Sequence, residues 1–282
     1  MGKIKPEFQE NVSETLLIPL YMRAQESKEE NPIIVDTKSV ELLSKVDYDF
    51  SKFSADERCQ RYISLRTKYF DEAVKKFVDK YDDAVVVLIA CGLDPRVERI
   101  SIEKEYQVYE LDLPDVINLR KKFLPESSNN RYIAGSITND EWIQTIKASH
   151  PYGHFLFILE GISMYLTEEE MKNVFKNIDD NFDHAEVHVE RMNKFFSKRT
   201  YLQKSVNNTN ATFNWGCDNP KEIEQWCESF KLKDEYYYSD EKKNDLEKKE
   251  SDAAKSKFVN IFSRSLGIWS YEKDKKYLRL CC

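Results

Sequence analysis

The chain has 282 residues with a formal net charge of −7, 41% hydrophobic and 13% aromatic residues, and only seven glycines. The apolar content excludes global disorder, and the absence of G-x-G-x-x-G and G-x-x-x-x-G-K-[ST] excludes the glycine-based dinucleotide and P-loop fingerprints. An acidic surplus with both signs interspersed argues against nucleic acid as a partner, and no apolar run approaches the roughly 18 residues of a membrane span.

In chain order, residues 1–10 are polar, contain Pro6 and lack the apolar core of a signal peptide. Ser13 can cap a helix over 14–26, where Leu16, Leu17, Leu20 and Ala24 recur at helical spacing. Asp36 or Thr37 can start a second helix, through Leu43. A longer stripe of Tyr62, Leu65, Tyr69, Val74 and Phe77 predicts a helix over 54–80. Residues 1–80 therefore read as an N-terminal helical cap. At 84–90 the period changes: a continuous β-branched run is typical of a central parallel strand. Strand-like runs recur at 106–111, 131–134, 155–159 and 185–189, with helical patterns at 114–123, 140–147 and 167–182 between them. This alternation specifies right-handed βαβ crossovers and a parallel sheet over 84–190. Residues 194–230 read as a helical lid insertion, in which Asn219-Pro220 opens a helix with proline at its first position. Strands at 233–238 and 277–281 would complete the sheet within 231–282, around a charge-dense solvated stretch at 239–257. The chain 1–282 is expected to be one α/β domain. Six cysteines without C-x-x-C spacing suit a reducing, cytoplasmic setting, and no metal is expected.

In an open parallel sheet, ligands bind beyond the carboxyl ends of the strands, where strand order reverses. After the first strand, Gly92 permits a tight turn and close approach of a ligand to the backbone. The second strand ends in Glu110-Leu-Asp112, and a carboxylate there can accept from both ribose hydroxyls. Asp112 is alternatively an N-cap ahead of Pro114. The third strand runs into Gly135-Ser136-Ile137. Glu160 follows five apolar strand residues directly, so it must be paired, hydrogen-bonded or facing a cleft.

Four blocks carry a family resemblance: Leu65-Arg-Thr-Lys-Tyr-Phe-Asp71, Ala90-Cys-Gly-Leu-Asp-Pro-Arg96, Tyr109-Glu-Leu-Asp-Leu-Pro-Asp115 and Leu159-Glu-Gly-Ile-Ser-Met-Tyr-Leu166. In this order and spacing they resemble the leucine carboxyl methyltransferase superfamily. The opening Ser13-Glu-Thr-Leu-Leu-Ile-Pro-Leu-Tyr-Met-Arg-Ala24, with Asp47-Tyr-Asp-Phe50, is more similar to the bacterial branch named after the tetracenomycin polyketide methyltransferase. The resemblance covers about residues 12–182. It implies a Rossmann-like class I methyltransferase fold with a mostly parallel seven-stranded sheet, and S-adenosylmethionine as cofactor with S-adenosylhomocysteine as product. It further implies that Arg66 grips the methionine carboxylate and that the backbone from Ala90 to Gly92 passes under the cofactor. Asp112, with Glu110 beside it, would hold the ribose; Ser136 and Ile137 would flank the adenine. Glu160 would bind the amino group or orient the methionine end. Two positions depart from the family pattern. Ala90 stands where glycine is usual, which avoids strain if its φ is negative. Ser136 stands where an acidic residue is common, so an adenine contact could shift to Asp140.

The reaction implied is in-line displacement at a sulfonium methyl by an oxygen of a small carboxyl- or hydroxyl-bearing acceptor. A carboxylate acceptor needs no general base, whereas a phenol is helped by a base or a positive neighbour. His188, in Glu186-Val-His-Val-Glu-Arg191, is the candidate base, against a core or surface histidine. Tyr165 and Arg191 are candidate acceptor-side groups. Phe195, Phe196, Tyr201, Phe213, Trp215 and Trp226 either line an acceptor pocket or form the underside of the lid. Two alternatives stand beside the small-molecule enzyme: a protein C-terminal leucine carboxyl methyltransferase, and a non-catalytic cofactor-binding interaction protein. The oligomeric state is not legible.

Overall fold

A computed structural model describes residues 2–54, 56–239 and 264–273. Three helices come first: α1 (Leu17–Glu26), α2 (Thr37–Lys45) and α3 (Glu57–Lys80). Asp36 caps α2 by accepting from the Ser39 N–H, and Asp56 caps α3 through the Cys59 N–H. Ser13 does not cap a helix. It lies buried inside a 3₁₀ turn, Asn11–Leu16, and α1 begins only at Leu17.

The sheet elements then alternate with helices. They are β1 (Ala84–Ile89), α4 (Arg96–Arg99), β2 (Gln107–Asp112), α5 (Pro114–Arg120), β3 (Asn130–Ala134), α6 (Glu141–Ser149), β4 (His154–Leu159), α7 (Glu168–Asn181) and β5 (Ala185–Met192). Short helices α8 (Lys194–Ser197), α9 (Lys204–Asn207) and α10 (Lys221–Trp226) precede β6 (Phe230–Tyr237) and β7 (Leu266–Lys273). Pro220 is the N-cap of α10 rather than its first residue. The late strand expected at 277–281 and most of the stretch 239–257 lie outside the described residues. The described strand β7 has a sequence interrupted by Gly267 and polar residues, which hid it.

The sheet order is β3-β2-β1-β4-β5-β7-β6, parallel except for β7, which is antiparallel to both neighbours. The β1 run is apolar throughout because helices cover both faces of the sheet. Val85, Val87 and Ile89 pack in one cluster with Trp142 of α6 and Phe175 of α7. Val86 and Leu88 pack in the other, with Phe70, Val74 and Phe77 of α3. A third cluster joins α1 and α2 to Phe53, Ile63 and Leu93. Among the described residues, no helix is long and apolar enough to cross a membrane.

Candidate active site

Strand order reverses between β1 and β4, and there the carboxyl ends of β1 to β5 open into a cavity of about 730 Å³. That volume lies within the usual span of small-molecule sites, about 300–1,000 Å³. Its floor is the turn after β1 and the ends of β2, β3 and β4. Its walls come from distant parts of the chain: the Asn11–Leu16 turn, one face of α3 and residues 210–214.

The floor begins with a strained residue. Ala90 has φ +56°, the only positive φ outside glycine among the described residues. The condition for an unstrained alanine, a negative φ, is therefore not met: its methyl group sits in the left-handed region that glycine occupies without cost. Gly92 follows at φ +52°, and a Cβ there would come within 3.2 Å of Leu16 Cβ. The Gly92 N–H donates to Asp112 Oδ2 at 2.7 Å, and the Leu113 N–H to Oδ1 at 2.8 Å. Asp112 is thus not the cap of α5, whose N-cap is Leu113. Each carboxylate oxygen accepts one of these bonds and keeps further acceptor capacity, and Asp112 lines the cavity. Burial pushes the Asp112 carboxyl up to about 6, against the two backbone donors. Glu110, two residues deeper on the same strand face, does not line the cavity. It is fully buried in a pair with the Arg120 guanidinium, which also donates to the Gly92 carbonyl at 3.0 Å.

Across the cavity lies an arginine held by two carboxylates. Arg66 Nε donates to Glu160 Oε1 at 2.8 Å and its Nη1 to Glu190 Oε2 at 3.0 Å. These bonds use two of the five guanidinium N–H groups, and Nη2 meets no protein acceptor among the described residues. Glu160 Oε2 accepts from Arg96 Nη2 at 2.6 Å, and Arg96 continues to Asp71 at 2.8 Å and Asp94 at 3.1 Å. Arg99 then bridges Asp71, Asp94 and Asp36, and Arg23 closes on Asp36 at 3.1 Å. Burial opposes the charge of Asp94, yet Arg23, Arg99 and Arg96 hold its carboxyl well below the usual range.

Glu190 was missed in the sequence. Residues 186, 188 and 190 share one face of β5, opposite Val187 and Val189, which join the other core cluster. A polar alternation on a central strand was therefore visible. The member nearest the carboxyl end faces the ligand crevice, and that member is Glu190, not His188.

His188 lies deeper, paired across β4 with Ile158, and does not line the cavity. It is buried, with Nε2 at 2.7 Å from Glu186 Oε1 and its ring 5.7 Å from that of Tyr69. Arg191 points to the opposite face, between the rings of Tyr237 and Trp269 at 4.9 and 4.6 Å, also away from the cavity. Of the three acceptor-side candidates only Tyr165 lines it, and burial holds its phenol above the ordinary range. Ser136 and Ile137 line the cavity as expected, and Ser136 Oγ lies 2.7 Å from Thr138 Oγ1. Asp140 does not line it; Thr138 does. Of the six candidate lid aromatics only Phe213 reaches the cavity, 5.4 Å from Tyr165 between ring centres. Tyr201 is exposed, and Trp215 packs on Trp226 in the core.

The leucine carboxyl methyltransferase family model matches residues 17–179. The tetracenomycin polyketide synthesis O-methyltransferase of Streptomyces glaucescens is 29% identical over 225 residues, covering 80% of this chain and 82% of that protein. An S-adenosyl-L-methionine-dependent methyltransferase of Gibberella zeae is 25% identical over 245 residues, covering 79% and 81%. Among solved structures, a DUF574 family protein of Streptomyces avermitilis has a TM-score of 0.57 at 10% identity, covering 94% of this chain and all (100%) of that one, a likeness of fold alone. With the matched segment spanning more than half of the chain and carrying the cavity floor, the protein belongs to the leucine carboxyl methyltransferase family.

Proposed function

We propose that the protein transfers the methyl group of S-adenosylmethionine to an oxygen of a small molecule, and that this oxygen belongs to a carboxylate. The cofactor, when bound, supplies an electrophilic methyl on a sulfonium. The cavity residues fit its polar groups. Arg66 has N–H groups left for a carboxylate, Asp112 has lone pairs left for a diol, and Glu160 adds a negative charge for an ammonium. Leu113, Val116 and Ile137 offer an apolar wall for a base.

The observation that carries the carboxylate reading is the make-up of the lining, which among the described residues contains neither histidine nor lysine. Burial pushes the Cys59 thiol up to about 12 and holds Cys91 well above the ordinary thiol value, so neither supplies a base near neutral pH. Glu170 is engaged in the Thr167 capping box at the head of α7, and Glu10 is exposed at the rim. An acceptor already ionised at neutral pH needs none of these. Positioning against the methyl group then supplies the rate, as effective molarities of about 10⁵ M or more allow.

The test is calorimetry with S-adenosylmethionine followed by turnover with methyl-labelled cofactor on a panel of small carboxylic acids and phenols. Wild type should bind, and Arg66→Ala should weaken binding about tenfold or more, since a hydrogen bond to a charged group contributes roughly 1.5–3 kcal/mol. The labelled product should release methanol in alkali, as esters do and ethers do not. A product stable to alkali would count against the carboxylate, and a silent titration would sink the cofactor assignment.

A further inference from the structure

The arrangement around Arg66 depends on a residue from the far end of the sheet. Glu190 Oε2 accepts from Arg66 Nη1 at 3.0 Å and from the Gly161 N–H at 2.8 Å. Its other oxygen, Oε1, accepts from the Tyr238 hydroxyl at 2.9 Å. Tyr238 follows β6, is 1% exposed, and packs its ring 5.9 Å from that of Tyr62 on α3. Burial, and then the Glu190 charge, hold its phenol well above the ordinary value, so it stays a donor. Arg66 lies close over the bare Cα of Gly161, where a Cβ would sit 3.2 Å from Nη1.

A carboxylate beside a guanidinium tends to close a two-bond fork, one oxygen to each of two N–H groups. Glu190 does not, because one oxygen is shared between Nη1 and the Gly161 N–H and the other is occupied by Tyr238. We propose that Tyr238 is a positioning residue that keeps Glu190 one-pronged on Arg66 and thereby reserves the Nη2 edge for the carboxylate of the cofactor's amino-acid end. Without the hydroxyl, Oε1 is a buried acceptor lacking a donor, and on the guanidinium the partner of Nη1 in a fork is an N–H of Nη2. Glu190 would then spend the donor that the cofactor needs. This inference rests on the role given to Arg66 above.

The test compares dissociation constants for S-adenosylmethionine and its decarboxylated analogue on the full chain by calorimetry. Wild type should prefer the carboxylate-bearing cofactor. Tyr238→Phe should weaken it roughly tenfold, as expected when one charge-assisted bond is lost, while the analogue's affinity stays within about twofold. Adding Glu190→Gln, which removes the negative charge and the second acceptor oxygen that a fork needs, should restore the preference. Equal weakening of both ligands, which a merely structural role would give, overturns the proposal, as does no change in either. Arg66→Ala separates the two levels. If that variant retains the preference, the assignment of Arg66 fails; if it loses the preference while Tyr238→Phe keeps it, only the role of Tyr238 fails.

Discussion

At Ala90 a methyl group is held at φ +56°, directly on the cavity floor. An alanine in the left-handed region costs about 1–2 kcal/mol relative to its ordinary conformations, and glycine recovers most of that at the expense of unfolded-state entropy. Ala90→Gly is therefore expected to stabilise the protein by roughly 0.5–1 kcal/mol, seen as a higher urea midpoint at unchanged slope. A lower midpoint would mean that the methyl makes compensating contacts. Asp112 gives a second residue-scale expectation. In the role proposed for Asp112 a cofactor hydroxyl would donate to the ionised carboxylate, so affinity should be full above the carboxyl's value of about 6 and fall as pH drops through it. Asp112→Asn should bind more weakly at pH 8 and show no bend near pH 6. As cavity residues, Asp112 and Glu160 were legible because strand ends and a family block both marked them, and Arg66 because a family block did. The left-handed φ of Ala90 was not, since nothing in an alanine's identity states its backbone angle. His188 takes the second of its two readings, a core histidine, and depth along β5 separates it from Glu190.

Among the elements, α1, α2 and α4 converge on one buried chain of charges that ends at the cavity. Arg99 of α4 donates to Asp71, Asp36 and Asp94, at 2.7–2.8 Å. Replacing it with an apolar side chain leaves three buried carboxylates short of a cation. Removing one partner of such a set typically costs about 3–5 kcal/mol. Arg99→Met should lower stability by that amount in guanidinium unfolding, far more than Lys38→Met, whose ion pair with Glu41 is exposed at the surface. A loss below about 1 kcal/mol would show that the network adds little. The sequence placed the helices and five parallel strands well, because both core faces impose their periods on it. It did not reveal the network, whose members are spread from Arg23 to Glu190 and meet only once the chain has folded. Nor did it reveal the Asn11–Leu16 3₁₀ turn, where a serine resembling a helix cap is instead buried under the cavity wall.

For the molecule as a whole, the cavity floor was readable and its roof was not. Floor residues sit at strand ends fixed by topology. The roof is assembled from the N-terminal turn and residues 210–214, segments with no period, and of the aromatics expected there only Phe213 takes part. The Ser205 hydroxyl donates to Asp56 at 2.8 Å and the Asn208 amide to the Lys52 carbonyl at 2.7 Å, which ties the segment leading into residues 210–214 to the approach to α3. The place of β7 has a temporal meaning as well. It lies between β5 and β6 although it is the last described strand made, and it supplies Leu266 to the cavity. While the chain is being synthesised, β5 must wait as a bare edge and β6 has no strand to join. Such an edge is a template for pairing with other chains. The nascent protein is therefore most exposed to misassembly just before it acquires the means to hold a substrate, and the strand that ends that exposure also completes the cavity.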